Sequence, residues 1–264
     1  MLLGMVDRAV LRPTKNPLPA AGKTQLLLPY EHGQVEVWRE RFSRQPARAS
    51  GQANDADAKP DVFVLKYIGA GGRAEHSTNH PADCWPDQNV EIWCVNPPGY
   101  GASTGPASLR HYPQASQAAY QAIRDAAGTR PILAMGTSLG TLPALWLAAE
   151  GAVAAVVLRT PPPLQKIIVT RHGWWNLWLL AFPVAGAIPR EFNSMRNARR
   201  ARVPAVFITA THDKIVPHRY QKRVIKAYGG DKKVLTLEGG HRAKPSGDDR
   251  FEYERMLSWV GERL

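Results

Sequence analysis

The feature that most constrains the fold of this 264-residue chain is a series of short, almost wholly apolar segments that alternate with helical ones. Six of these segments are predicted to be strands covered on both faces, because a half-exposed strand would alternate apolar and polar residues. They are residues 61–68, 90–95, 131–136, 153–158, 204–209 and 233–238. Helices are expected at 113–127, 138–150, about 163–182, 217–228 and 248–263. Strands alternating with helices imply an α/β fold with a mostly parallel sheet and helices on both faces.

Two earlier segments, residues 24–28 and 34–42, do alternate and are predicted to form an antiparallel pair, which brings the sheet to eight strands. A chain of this length is commonly one α/β domain, so residues 1–264 are expected to form a single domain. Residues 44–60 show no apolar periodicity and many small polar residues. We expect them to form a flexible loop without a catalytic role.

Composition sets the expected environment of the protein. No apolar run approaches the roughly 18 residues that a transmembrane helix needs. The apolar run at the start ends at Asp7 and Arg8, too early for a secretory signal. Cys84 and Cys94 are the only cysteines and are interpreted as reduced core thiols. A cytoplasmic location is therefore expected.

The formal net charge of +12 raises the question of an anionic partner. Arg219, Lys222, Arg223 and Lys226 share one helical face, and a second basic run follows Arg196. The simpler interpretation is a solvated helix face, and no signature of a nucleic-acid-binding module accompanies it, so no nucleic-acid partner is expected. Weak association with an anionic membrane surface stays open as a hypothesis.

Chemically capable side chains follow three of the predicted strands. In open α/β sheets the active site lies beyond the carboxyl ends of the strands. Ser138 follows strand 131–136, Asp213 follows strand 204–209, and His241 follows strand 233–238. This is the chain order of a nucleophile, an acid and a base in one type of serine hydrolase.

Gly136-Thr137-Ser138-Leu139-Gly140 matches the G-x-S-x-G elbow, in which a serine sits at a sharp strand-to-helix turn. Side chains two positions before or after the serine would collide with the neighbouring strand and helix, which explains the glycines. The turn exposes the hydroxyl at a helix N-terminus, where negative charge is favoured. The alternative is a packing turn with an incidental serine.

A serine hydroxyl needs a base, and His241 is the best candidate because it follows the last strand and the flexible Gly239-Gly240 pair. Asp213 would orient the imidazole, although an Asx turn or a helix cap would also explain an aspartate there. Glu238 is the fallback acid, expected within the last strand. The histidines that fit less well as the base are His111, His172, His212 and His218.

An oxyanion hole requires only backbone donors. One should be the N–H of Leu139, and the other should come from the glycine-rich loop after the third strand, most simply Ala70. That loop, Gly69 to Ala74, also fits the dinucleotide fingerprint G-x-G-x-x-G/A. The fingerprint also requires an acidic residue at the end of the next strand, where this chain has Asn96-Pro97. A nicotinamide or flavin enzyme is therefore the weaker alternative.

From about residue 24 onwards the chain resembles the α/β-hydrolase superfamily, in its serine-hydrolase branch with ABHD-type proteins. The resemblance rests on GTSLG, on THDKIVP, on GGH and on NPPGYGASTGPAS, which is similar to a D-x-R-G-x-G-x-S loop. Two departures are Ile68, where the oxyanion loop usually has histidine, and Asn96-Pro97-Pro98, where Asp-x-Arg is usual. The resemblance implies hydrolysis of an ester, thioester or amide through an acyl-serine intermediate, with a small-molecule acyl substrate and no cofactor or metal.

In this superfamily the interval at about 160–202 carries the lid, and its shortness here implies a small one. The substrate pocket is predicted to involve residues near the site and in the Trp-rich segment. They are Gly71, Tyr100, His111, Trp174 and Trp175. A binding protein that keeps the fold without hydrolysis is the alternative function, using the pocket or the basic face.

Overall fold

The structure is a computed structural model that describes residues 7, 10–44, 59–172 and 188–264. Most of the predicted loop at 44–60, the end of the predicted helix at 163–182 and both pocket tryptophans, Trp174 and Trp175, lie outside the described residues.

An eight-stranded sheet runs through the molecule in the order β1-β2-β4-β3-β5-β6-β7-β8. Its strands are β1 (Thr24–Tyr30), β2 (Gly33–Phe42), β3 (Val62–Tyr67), β4 (Val90–Asn96), β5 (Ile132–Thr137), β6 (Ala155–Arg159), β7 (Ala205–Ala210) and β8 (Lys232–Leu237). β2 pairs antiparallel with both β1 and β4, and the other neighbours are parallel. The predicted mostly parallel sheet and the antiparallel first pair are confirmed.

Six α-helices of the described residues accompany the parallel strands, whereas β3 and β4 are joined through two 3₁₀ turns. The six helices are α1 (Tyr112–Ala127), α2 (Thr141–Ala149), α3 (Leu164–His172), α4 (Ser194–Arg200), α5 (His218–Ala227) and α6 (Asp248–Gly261). The sequence did not predict α4, because its arginines obscure the apolar spacing. Asn193 caps this helix by accepting a hydrogen bond from the backbone N–H of Arg196 at 3.0 Å.

Two apolar cores cover the two faces of the sheet, which is why its central strands are almost wholly apolar. β8, predicted to be covered on both faces, instead lies at the sheet edge and alternates exposed with buried residues. Phe63 and Leu65 face the core shared with α1, α2, α4 and α5. Val62 and Val64 face the second core, which α6 covers. Alternate residues of one strand thus enter opposite cores, as the period of two in a strand requires. The helices on both faces leave the carboxyl ends of the parallel strands free to carry a site.

Cys84 and Cys94 are free thiols, and Cys94 is buried in the first core. Within the described residues, none of the helices combines the length and apolar character needed to cross a bilayer.

Candidate active site

Ser138 sits in the strained elbow that the sequence predicts. It follows β5 directly with a φ of +51°, a left-handed conformation that is unusual for a residue with a side chain. A β-carbon on Gly136 would lie 2.3 Å from the Gly140 carbonyl oxygen, and one on Gly140 would lie 2.1 Å from the Tyr67 carbonyl oxygen. Both glycines are therefore required by the close approach of β5, β3 and the turn.

The elbow is fastened to the helix that follows. Residues Ser138–Gly140 form a 3₁₀ turn, so α2 begins at Thr141 rather than at the predicted residue 138. The Thr141 hydroxyl donates to the Ser138 carbonyl oxygen at 2.6 Å. Ser138 is thus held at the N-terminal end of α2, where backbone N–H groups favour an anion.

Backbone strain collects around this edge of the sheet. Among the described residues, Arg12, Ser138 and Thr160 are the non-glycine residues with positive φ. Thr160 follows Arg159, which is paired with Thr137 across β5 and β6. Such strain costs of order 1–3 kcal/mol per residue and commonly marks functional positions.

His241 and Asp213 are hydrogen-bonded to each other. The Nδ1 atom of His241 lies 2.6 Å from Oδ2 of Asp213, whose side chain is fully buried, while the histidine side chain is 15% exposed. With Nδ1–H donating to the carboxylate, the other ring nitrogen, Nε2, is free to accept a proton. This is the arrangement in which an aspartate selects the tautomer of a catalytic base.

Asp213 also forms the turn that the sequence analysis gave as the alternative explanation of an aspartate at this position. Its Oδ1 atom accepts hydrogen bonds at 2.8 Å from the backbone N–H groups of Ile215 and Val216. Its Oδ2 atom accepts a further bond at 3.0 Å from Nε2 of Gln221 on α5. One carboxylate therefore shapes the turn and faces the histidine.

Gln221 and Arg159 were missed by the sequence analysis. Gln221 is fully buried, and its amide links Asp213 to the Val216 carbonyl oxygen at 2.6 Å. The signal was a polar residue in the apolar phase of α5, between Tyr220 and Val224. Arg159 donates from Nη2 to the Ala243 carbonyl oxygen, which joins the loop carrying His241 to the end of β6, the neighbour of β5 in the sheet. No hydrogen bond joins Ser138 to His241 in the part of the chain that the structure describes.

The glycine-rich loop after β3 contacts the elbow. A β-carbon on Gly69 would lie 3.4 Å from Cβ of Ser138 and 3.1 Å from the Thr137 carbonyl oxygen. The loop is closed by a hydrogen bond from the Gly72 N–H to the Gly69 carbonyl oxygen at 3.0 Å. The N–H of Ala70 has no acceptor among the described residues, so it is available as a donor next to Ser138.

The dinucleotide interpretation of this loop is not supported. The fingerprint needs an α-helix directly after the glycines, so that its N-terminus can hold the pyrophosphate. The chain instead forms a 3₁₀ turn of three residues, Ala74–His76.

Tyr100 does not line an accessible pocket, which corrects the sequence prediction. Its side chain is fully buried, and its hydroxyl donates to the Leu11 carbonyl oxygen. The same hydroxyl oxygen lies 3.4 Å from the N–H of Gly71, and burial raises the pKa of Tyr100 to about 12. Tyr100 therefore packs beneath the glycine-rich loop and supports it, whereas Gly71 itself is exposed at a φ of +70°.

His111 lies apart from Ser138, Asp213 and His241, the three residues of the predicted catalytic triad. It precedes α1, and its ring packs against His32 with the centroids 3.8 Å apart. A neighbouring cleft of about 380 Å³ is lined by residues of the β1 end, α1 and α2, including Tyr30, Arg110 and Trp146, and by none of the triad. The contacts of the described residues thus place His111 with His32 and do not bring it to Ser138.

The other candidate base and acid residues are placed less favourably. His212 is exposed and His218 begins α5, where its Nδ1 atom is buried without a partner. Glu238 lies beyond the end of β8 rather than within it, and its side chain is exposed. Among these residues, only Asp213 and His241 face each other.

The sheet order, the elbow and the placement of Asp213 and His241 define an α/β-hydrolase fold. A family model described as "alpha/beta hydrolase fold" matches residues 82–195. This match and the observed fold support membership of the α/β-hydrolase superfamily. A curated relative is alpha/beta hydrolase domain-containing protein 17B of Homo sapiens, which is 34% identical over 97 residues. That match covers 36% of this chain and 29% of the human protein, well under two thirds of its length.

Solved structures share the fold over nearly the whole chain. Est1E from Butyrivibrio proteoclasticus superposes with a TM-score of 0.66 at 14% identity, covering 92% of this chain and 99% of that one. An esterase from Pyrococcus furiosus gives a TM-score of 0.65 at 13% identity, covering 95% and 96%. At such low identity these similarities show the fold alone.

Proposed function

We propose that the protein is a serine hydrolase that cleaves a carboxylic ester, thioester or amide through an acyl-serine intermediate. The observation that carries the proposal is the 2.6 Å hydrogen bond between His241 and Asp213. It joins two residues that are 28 positions apart, at the same edge of the sheet as the strained Ser138. The esterase from Pyrococcus furiosus shows that this fold can carry ester hydrolysis.

In the proposed acylation step, Nε2 of His241 takes the proton of the Ser138 hydroxyl as Oγ attacks the carbonyl carbon of the substrate. The N–H groups of Leu139 and Ala70 hold the negative oxygen of the tetrahedral intermediate. The intermediate collapses when the bond to the leaving group breaks, and that group departs with the proton from His241. Asp213 stabilises the transient imidazolium.

Deacylation repeats these steps with water. His241 accepts a proton from a water molecule, whose oxygen attacks the acyl carbon, and then returns the proton to Ser138 Oγ as the acid is released. No step requires a metal or a cofactor. The substrate is proposed to be a small acyl compound whose chain length the experiment below measures.

Turnover of p-nitrophenyl esters from acetate to decanoate tests the proposal. Ser138→Ala and His241→Ala should each lower kcat by roughly 10⁴-fold or more, since the two residues act as one unit. His212→Ala is a matched control, because His212 is an exposed histidine next to Asp213 and should keep wild-type turnover. A Ser138→Ala variant as active as the wild type would contradict the proposal, and an inactive folded wild type would favour the binding-protein alternative.

A further inference from the structure

Three polar side chains are buried beside the glycine-rich loop and take no part in the triad. Glu36 on β2 and Glu75 in the 3₁₀ turn are each 2% exposed, and Asn96 at the end of β4 is fully buried. Two neighbouring buried carboxylates repel each other unless donors compensate them. The Nδ2 group of Asn96 supplies such donors, to Glu36 Oε2 at 2.7 Å and to Glu75 Oε2 at 2.9 Å.

The same asparagine holds the backbone that follows the loop. Its Oδ1 atom accepts a hydrogen bond from the N–H of Ala74 at 2.9 Å, four residues after Ala70. Asn96 therefore uses both ends of its amide, one on the two glutamates and one on the chain leaving the oxyanion loop. Aspartate, usual here in the resembling proteins, could not donate to the glutamates.

Arg73 ties the loop to this cluster directly. Its guanidinium pairs with both carboxylate oxygens of Glu75, and its side chain is only 8% exposed. Nη1 of Arg73 also donates to the Asn16 carbonyl oxygen at 2.5 Å. Burial raises the pKa of Glu75, but the bonds from Asn96, its own backbone and Arg73 outweigh this and hold the pKa below its ordinary value. Glu75 is thus held as a carboxylate that forms an ion pair with Arg73.

A second loop packs over the cluster and is hydrogen-bonded to it. The Ala102 N–H donates to Glu36 Oε2 at 2.9 Å, and the Ser103 hydroxyl donates to the Asn96 carbonyl oxygen at 2.7 Å. A β-carbon on Gly101 would lie 2.1 Å from Glu36 Oε2. The cluster is therefore a packed connection from β2 and β4 to the glycine-rich loop.

We infer that Arg73, Glu75 and Asn96 are positioning residues that fix the Ala70 N–H for the oxyanion, with Glu36 as their anchor in the sheet. The inference rests on the proposed hydrolase function. Residues 69–72 have no regular secondary structure, yet an oxyanion donor has to be within about 0.2 Å of its working distance of roughly 2.9 Å. A donor displaced by about 1 Å can lower the catalytic rate on the order of 10²-fold. The cluster supplies the rigidity that the loop lacks.

The chain offers a matched control for breaking the Arg73–Glu75 pair. Arg41 donates two hydrogen bonds, at 2.9 and 2.7 Å, to Glu91, which is also 2% exposed. Arg41 and Glu91 are paired across β2 and β4 at the end of these strands remote from Asn96. Arg73→Met and Arg41→Met therefore each remove an arginine from a buried glutamate, but only the first is next to the oxyanion loop.

The experiment compares kcat and KM for p-nitrophenyl acetate, together with urea unfolding, in wild type, Arg73→Met, Arg73→Lys and Arg41→Met. We expect Arg73→Met to lower kcat by roughly 10- to 100-fold with KM within about threefold of wild type, because an oxyanion donor acts in the transition state. Arg73→Lys, which keeps the charge, should restore part of kcat. Arg41→Met should keep kcat within about twofold, whatever stability it loses.

The inference is overturned if folded Arg73→Met keeps wild-type kcat, or if Arg41→Met lowers kcat equally. If Arg73→Met does not fold, Asn96→Ala replaces it with the same expected loss of kcat, and a wild-type kcat in that variant overturns the inference. A wild type without Ser138-dependent turnover would instead overturn the hydrolase proposal and this inference with it. Active wild type with unaffected variants would overturn only this inference.

Discussion

The Nδ1 atom of His241 lies 2.6 Å from Oδ2 of Asp213, and three further hydrogen bonds hold the same carboxylate. Two of these bonds come from backbone N–H groups and one from the buried amide of Gln221. These three hydrogen bonds orient the carboxylate of Asp213 independently of His241. Asp213 thus shapes the turn at the start of α5 and also holds the hydrogen bond to His241.

Asp213→Asn should separate these two roles. The amide oxygen can still accept the turn hydrogen bonds, so the free energy of unfolding should fall by only about 1–2 kcal/mol. The amide nitrogen would face Nδ1 as a donor and favour the wrong tautomer, so kcat should fall by about 10⁴-fold. Ester turnover and urea unfolding measure both quantities, and a kcat within tenfold of wild type would refute the assigned role of Asp213.

Gly140→Ala should damage the fold itself. The new β-carbon would lie 2.1 Å from the Tyr67 carbonyl oxygen, an atom that cannot move without shifting β3. We expect a loss of about 3 kcal/mol in the free energy of unfolding, at the upper end of overpacking effects. Gly240→Ala is the control, because a β-carbon there meets open space. Equal stability of the two variants would contradict the close approach of Gly140 to the Tyr67 carbonyl oxygen.

Stability should fall as the pH drops below about 6.5, the ordinary pKa of histidine. Burial and the neighbouring His32 lower the pKa of His111, so the unfolded chain takes up the proton first. The stability that His111 contributes is therefore full above the unfolded pKa and is lost as pH falls towards the folded one. Groups facing His111 are His32, Asp7, Glu31 and Arg110.

Urea midpoints at pH 7.5 and 5.5 check this expectation. His111→Asn should reduce the loss between the two pH values without abolishing it, because burial also lowers the pKa of His218. A His111→Asn midpoint that falls with pH as steeply as wild type would contradict the assignment.

The helices α4 and α5 form a surface rich in lysine and arginine, here called the basic surface. Residues 193–233 contain eleven lysines and arginines but only two acidic residues, one of them the buried Asp213. The exposed cations within or directly after α4 and α5 are Arg196, Arg199, Arg200, Arg202, Arg219, Lys222, Arg223 and Lys226. The N–H of Gly229 donates to the Ala198 carbonyl oxygen at 2.9 Å, which joins the chain after α5 to α4.

We expect the basic surface to bind vesicles containing phosphatidylserine and not vesicles of phosphatidylcholine alone, with binding that weakens as salt rises. Lys222→Glu with Arg223→Glu should abolish cosedimentation. Arg255→Glu with Arg263→Glu, on or next to α6 across the sheet, is the control and should retain it. Binding that does not depend on anionic lipid would contradict this expectation.

The strands and the three triad candidates were predictable because each depends on local sequence. An apolar run identifies a buried strand wherever its neighbours lie, and residues that follow parallel strands share one edge of the sheet. Gln221, Arg159 and Asn96 were not assigned to the site, since their roles depend on partners brought close only by folding. Tyr100 was misplaced for the same reason, because the segment that buries it contains Leu11.

Labelling with a fluorophosphonate probe tests whether Ser138 is an activated nucleophile. A serine activated by its base displaces the leaving group of the probe and keeps the phosphonyl group, whereas an ordinary serine does not react. Peptide mapping by mass spectrometry should locate the adduct on Ser138 of the wild type, with no adduct in His241→Ala. An unlabelled, folded wild type, or an adduct on another serine, would contradict the account.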